Sequence, residues 1–314
     1  MSFTSLTATY RVVTPMFLGG AEPTMEAELR VPSFKGALRF WWRAIMWSEV
    51  QDVVKLREWE AGLFGSSEKG QSKLLMYLQV PVASNQKVIE KWPPSSWQRY
   101  TGYGLRDKGE RRFIPVGQEL VVKLNLRRCD SMEFSQMLAA LKLLGLVGGL
   151  GSRSRKGWGS VTLSKLDGAE WRCPSDATSW RATIESLIPR ECSDTAPFSA
   201  FTKASLWNHG PLKDLRSAQQ WLGQRYLTCV KTTTPKPDRA QFGLPRSFGN
   251  GPRTERRGSP LFLHVHDCGN GNALPTALWL PSNFLPDAPR IPGDGVSARR
   301  FLETLSSAST SPDR

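Results

Sequence analysis

Gly148-Gly149-Leu150-Gly151-Ser152-Arg153-Ser154-Arg155-Lys156-Gly157-Trp158-Gly159 leaves an apolar helical run and enters a strand-like one over residues 158–163. A helix that ends in a glycine-rich basic loop and returns as a strand is half of a split βαβ unit. Glycine permits positive φ and close backbone approach, so Gly149 and Gly151 can aim amide N–H groups at phosphate oxygens while Arg153, Arg155 and Lys156 add charge. Trp158 offers a ring on which a base could stack. A plain flexible basic loop is the competing reading.

Upstream, residues 131–146 have helical periodicity, with Asp130 and Glu133 spaced as a capping box and Met132, Leu138, Leu141 and Leu144/Gly145 as the expected apolar face. Residues 119–126 and 74–82 read as strands. Further back, residues 7–17 alternate like a strand, and a short strand is expected near residues 25–31. Pro32 then stops extension, and Ser33 is placed to cap a helix running to about residue 47. Another helical stretch covers residues 49–62 and ends at Gly62.

The order strand, helix, one or two strands, strand, helix, strand predicts an α+β fold, with an antiparallel sheet on one side and two helices on the other. Residues 93–112, rich in Gly, Pro and charge, read as an exposed insertion. A helix within residues 167–196, with Trp180, Ile184, Leu187 and Ile188 on one face, reads as a bridge. A second unit begins near residue 198, with a helix over 212–226, a basic stretch containing Arg253, Arg256 and Arg257, and a strand over 261–266. The tail from about residue 306 has a disordered composition. The divisions are therefore 1–166, a bridge at 167–197, 198–290 and a C-terminal segment at 291–314.

On the first helix, Phe34, Ala37, Leu38, Trp41 and Ile45 form an apolar stripe. Lys35, Arg39 and Arg43 form a second stripe beside Trp42, with no acid interleaved. Either it is an ordinary solvated face or it is a phosphate-binding surface. The chain of 314 residues carries 42 Lys+Arg against 28 Asp+Glu, net +14. Residues 1–165 hold 24 basic and 14 acidic side chains and the remainder 18 and 14, so a polyanion should meet the first half.

Other chemistries fit poorly. Lys156 precedes Gly157 and no Lys-Ser/Thr pair follows a glycine at P-loop spacing, while Gly149-x-Gly151 leaves a helix instead of opening one. No cofactor or small-molecule substrate is expected. Residues 1–165 contain no histidine, so the commonest general acid/base is missing from the most basic region. His264, His266 and Cys268 alternate on a predicted strand with Asp267 opposite. They could hold a metal or form a polar strand face, and the weak spacing favours the latter. The acid pairs Glu26/Glu28 and Glu58/Glu60 read as solvated. Trp42, Trp92, Trp97, Trp158 and Trp207 sit near cations, so some could be stacking platforms. Five scattered cysteines without a CxxC pair fit a reducing cytoplasm, and no leader or membrane span is expected.

Thr14-Pro15-Met16-Phe17-Leu18-Gly19-Gly20-Ala21, Pro32-Ser33-Phe34-Lys35-Gly36-Ala37-Leu38-Arg39-Phe40-Trp41-Trp42-Arg43, Leu63-Phe64-Gly65-Ser66 and the glycine-rich loop together resemble a RAMP-superfamily protein. The resemblance is to the first-numbered subunit of Cmr effector complexes of type III-B CRISPR systems. Gly243-Leu244-Pro245 and Arg256-Arg257-Gly258-Ser259-Pro260-Leu261 are similar to its second-domain motif. The resemblance implies two ferredoxin-like (RRM-like) domains and a non-catalytic subunit at the end of the filament. Its implied partners are the guide RNA's 3′ part, the paired target RNA and the other RAMP subunits. A guide-processing RAMP endoribonuclease and a stand-alone RNA-binding protein remain as alternatives.

Overall fold

The computed structural model describes residues 3–20, 26–79, 96–105, 111–189, 191–235, 237–243, 257–283 and 295–307. Four strands, β1 (Phe3–Val12), β2 (Leu74–Gln79), β3 (Glu119–Arg127) and β4 (Val161–Asp167), form an antiparallel sheet in the order β2-β3-β1-β4. Alternation sends Leu6, Ala8, Tyr10 and Val12 of β1, with Leu120, Val122, Leu124 and Leu126 of β3, to one buried face. Helices α1 (Val31–Val50) and α4 (Ser131–Val147) cover that face. Tyr10 packs edge-on against Phe34 and donates its hydroxyl to the Leu141 carbonyl at 2.8 Å. Burying each such Leu or Phe contributes about 2 kcal/mol. This is the ferredoxin-like order.

Several boundaries differ from expectation. No strand forms over the described residues 26–31; a single bridge joins Gly19 to Ala27. Pro32 lies in the first turn of α1, where a missing N–H costs nothing, so it begins the helix; Arg30 is the N-cap and Ser33 is helical. Gly62 is inside α2 (Val53–Phe64), which ends at Gly65 with φ +78°. The capping box on α4 is present, and Leu141, Leu144 and Gly145 of the expected face are buried together with Gln136, Met137, Ala140, Leu143, Leu146 and Val147, whereas Met132 is 51% exposed. From Met137 to Val147 every position but Lys142 is apolar, so packing and not periodicity sets the phase there.

Helix α5 (Ala177–Leu187) bridges the halves, with Trp180 donating to the Leu146 carbonyl at 3.1 Å. In the second half, β5 (Leu206–His209) and β6 (Lys213–Asp214) are successive pieces of one edge, both antiparallel to β8 (Asn272–Trp279), whose other side pairs with β7 (Leu261–Gly269). Helix α6 (Leu215–Thr228) starts later than expected because Asp214 caps it. With α7 (Val296–Ser307), this gives a second ferredoxin-like arrangement, three strands of which lie among the described residues.

The two halves are fused along β7. Its alternate amides at Leu263, Val265 and Asp267 donate to the Arg155 carbonyl, Ser160 Oγ and Thr162 Oγ1 at 3.2, 3.2 and 2.9 Å. An edge strand that would otherwise offer open amides is thus closed by the glycine-rich loop and β4. Phe262, Leu274 and Leu278 join the core of the first half.

Candidate nucleic-acid interface

The glycine-rich loop is a rigid plug. Gly151 (φ +83°) and Gly159 (φ +65°) adopt left-handed backbone that other residues rarely take, and a Cβ on Gly151 would strike the Phe17 carbonyl while one on Gly159 would strike that of Leu150. The amides of Leu150, Ser152, Lys156 and Gly159 donate to Gly159, Phe17, Arg153 and Pro15 carbonyls at 2.7–2.9 Å. These four N–H groups are consumed within the protein and are not free for phosphate.

The loop's cations divide. Arg155 turns inward between the rings of Phe40 and Phe262, at 4.8 and 4.6 Å, and donates to the Ser259 carbonyl at 2.7 Å. Burial, then the charge of Arg257, pull its pKa down to about 10, so it remains charged at neutral pH. Lys156 reaches Tyr226 Oη at 2.5 Å, Ser259 Oγ at 3.0 Å and the Phe242 carbonyl at 3.3 Å. Arg257 is likewise spent on Gln241 and Ser282, and burial lowers its pKa to about 10. Arg155 and Lys156 thus tie the two halves together, while Arg257 is held within the second half. Arg153, by contrast, is exposed at φ +62°, its guanidinium 5.8 Å over the ring of Tyr103.

The tryptophans also turn inward. Trp158 is 4% exposed, stacked on Trp97 at 5.9 Å and bonded to Thr101 Oγ1. Trp42 is 1% exposed and donates to Gln136 Oε1 at 3.2 Å. Neither has a free face for a base. Trp97 begins α3 (Trp97–Thr101), which docks against Gly223 of α6, so the described part of the 93–112 stretch is anchored and not an exposed insertion. The rest of that stretch, Trp92, Arg253 and Arg256 lie outside the described residues.

On α1, the stripe is balanced from another element. Glu60, buried on α2, accepts from Arg39 Nε at 2.5 Å and Arg43 Nη1 at 2.7 Å, while about a third of each arginine side chain stays exposed. Lys35 is half-buried, and burial followed by the charge of Arg39 lowers its pKa. The helix therefore still offers positive charge, held in place by one carboxylate.

A family model described as the RAMP superfamily matches residues 9–162. Residues 9–162 are a RAMP-superfamily domain. Beyond it, the chain is 28% identical over 286 residues to the CRISPR system Cmr subunit Cmr1-1 of Pyrococcus furiosus, covering 83% of this chain and 82% of that relative. It is 25% identical over 176 residues to Cmr1-2 of the same organism, 49% of this chain and 92% of that one. Among solved structures, apo Cmr1 from Pyrococcus furiosus superposes with a TM-score of 0.61 at 21% identity, covering 96% and 97% of the two chains. A chain of a type III-B Cmr-beta complex bound to cognate target RNA gives 0.63 at 12% identity, covering 97% and 99%. The last two likenesses establish the fold.

The RAMP domain carries a basic–aromatic pair that sequence reading missed. Tyr103, 66% exposed, lies under Arg153, and Arg111 donates to Ser152 Oγ at 3.3 Å beside it. Composition does not distinguish an exposed Tyr from a buried one, and Tyr103 and Arg153 are too far apart in sequence for a local pattern to pair them.

In the seam against the RAMP domain, His264 and His266 are fully buried with rings 6.3 Å apart. His264 Nδ1 donates to the Gly148 carbonyl at 2.6 Å and His266 Nε2 to that of Pro174 at 2.9 Å, which leaves the other ring nitrogens unpartnered. Burial pushes the His264 pKa down to about 3 and lowers that of His266. Asp267, on the other face, pairs with Arg11 at 3.3 Å. No group of three or more metal-ligating side chains forms among the described residues, and no helix there is long and apolar enough to cross a membrane.

Proposed function

We propose that this chain is a non-catalytic RNA-binding subunit of a type III-B (Cmr) CRISPR effector complex. In this reading it holds the guide RNA's 3′ part and the paired target at the filament end. The observation that carries it is the 28% identity to a Cmr subunit along most of both chains, spanning both ferredoxin-like halves. The exposed cations of the RAMP domain supply the means: Arg153 with Tyr103 and Arg111, and the partly exposed Arg39 and Arg43 with Lys35. Phosphate contacts position RNA by charge, and a ring beside a cation can take a base. His264 and His266, neutral and sealed inside, cannot reach a ribose 2′-hydroxyl, which supports holding over cutting.

The test is purification of the tagged chain from its native host with its RNA and neighbours intact. The expected result is a set of short guide RNAs whose 3′ part crosslinks to residues 103–111 or 153. Cleavage of guide precursor by the isolated chain, or recovery of the chain without other subunits, overturns the reading.

A further inference from the structure

Helices α2 and α4 flank a groove of about 300 Å³ on the helical side of the RAMP domain. Trp42, Leu63, Trp59 and Met132 supply apolar surface, Gly62 leaves space, and every charged residue lining the groove is acidic: Glu58, Asp130 and Glu133. That sign is opposite to the chain's net +14. The carboxylates are not equivalent. Asp130 caps α4 and Glu133 pairs with Lys73 at 2.6 Å. Glu58 is exposed and forms no ion pair among the described residues, because two positions along a helix turn it away from Glu60 and its arginines.

Two further observations mark the groove as built to be filled. Trp59 and Met132 are 38% and 51% exposed at its lip, with Lys55 5.3 Å over the outer Trp59 ring. Gln136, 92% buried in the lining, accepts from Trp42 through Oε1 while its Nε2 has no partner. A buried amide donor left unmade is destabilising, and a carbonyl brought by a guest would satisfy it.

We infer that this groove receives a protein segment of a neighbouring subunit that places an arginine or lysine on Glu58 beside an aliphatic or aromatic side chain between Trp59 and Met132. Nucleic acid is the wrong guest, since phosphates would meet carboxylates with no lining cation. The inference rests on the subunit reading for the existence of a neighbour.

The test places a photo-crosslinking phenylalanine analogue at position 132 of the tagged chain, purified in its native assembly, with and without Glu58→Lys. Both positions are exposed, so folding is retained. The expected product is a peptide of a different protein carrying Arg or Lys next to an apolar residue, with a yield that falls at least tenfold in the E58K background. A crosslink to RNA, to this chain or a second copy of it, to no other molecule, or one indifferent to E58K overturns the inference. Guide RNA retained in the same preparation reports separately on the functional reading.

Discussion

Arg153 and Arg155 stand two residues apart in one loop and belong to different surfaces. Arg153 lies outside, over an exposed tyrosine, while Arg155 is clamped between two phenylalanines and bonded to a carbonyl of the second half. The left-handed turn at Arg153 separates them, reversing the chain so that Arg155 and Lys156 point into the seam. A basic run therefore contains both solvent-facing charge and structural charge. The same holds on α1, where Glu60 anchors two arginines without covering them.

This division can be broken at its base. Gly159→Ala would drive a methyl group into the Leu150 carbonyl at positive φ, and should destabilise the protein by about 4 kcal/mol or more, read as loss of the cooperative urea transition. Arg155→Ala should cost about 2–3 kcal/mol in the same assay, since it strands the Ser259 carbonyl and removes the cation from two rings. Its folded fraction should bind RNA as the parent does.

The seam should also respond to pH. His264 has a folded pKa near 3, below the ordinary value of 6.5, so the unfolded chain binds the proton first as pH falls. Stability is retained above about pH 6.5 and declines between there and pH 3, at up to about 1.4 kcal/mol per pH unit from this residue. Urea midpoints measured from pH 7 to 4 check this, and His264→Gln should flatten the slope. Smallest in stability is Arg153→Ala, which should leave the unfolding free energy within about 0.5 kcal/mol of the parent while lowering RNA affinity and reducing the salt slope by about one.

Much of the first half was legible. Alternation in β1 and β3, the Asp130/Glu133 cap and the helix–loop–strand order are local signals, and each appears where the chain pattern places it. The destinations of Arg155 and Lys156 were not legible, because Tyr226, Phe242 and Ser259 lie 70 to 104 residues away. The i, i+2 spacing of Glu58 and Glu60 suggests two solvated acids, yet helical geometry sends the two carboxylates to different sides. Trp42 and Trp158 were legible as large rings near cations, but a ring's neighbours in sequence do not say which of its faces is covered.

The division within the loop is tested most directly by measuring guide-RNA affinity against salt for Arg153→Ala and Arg155→Ala side by side, with urea unfolding of each. Arg153→Ala should weaken binding about three- to tenfold with an unchanged midpoint, and Arg155→Ala should lower the midpoint with unchanged affinity per folded molecule. Loss of affinity in folded Arg155→Ala, with Arg153→Ala binding normally, would contradict it.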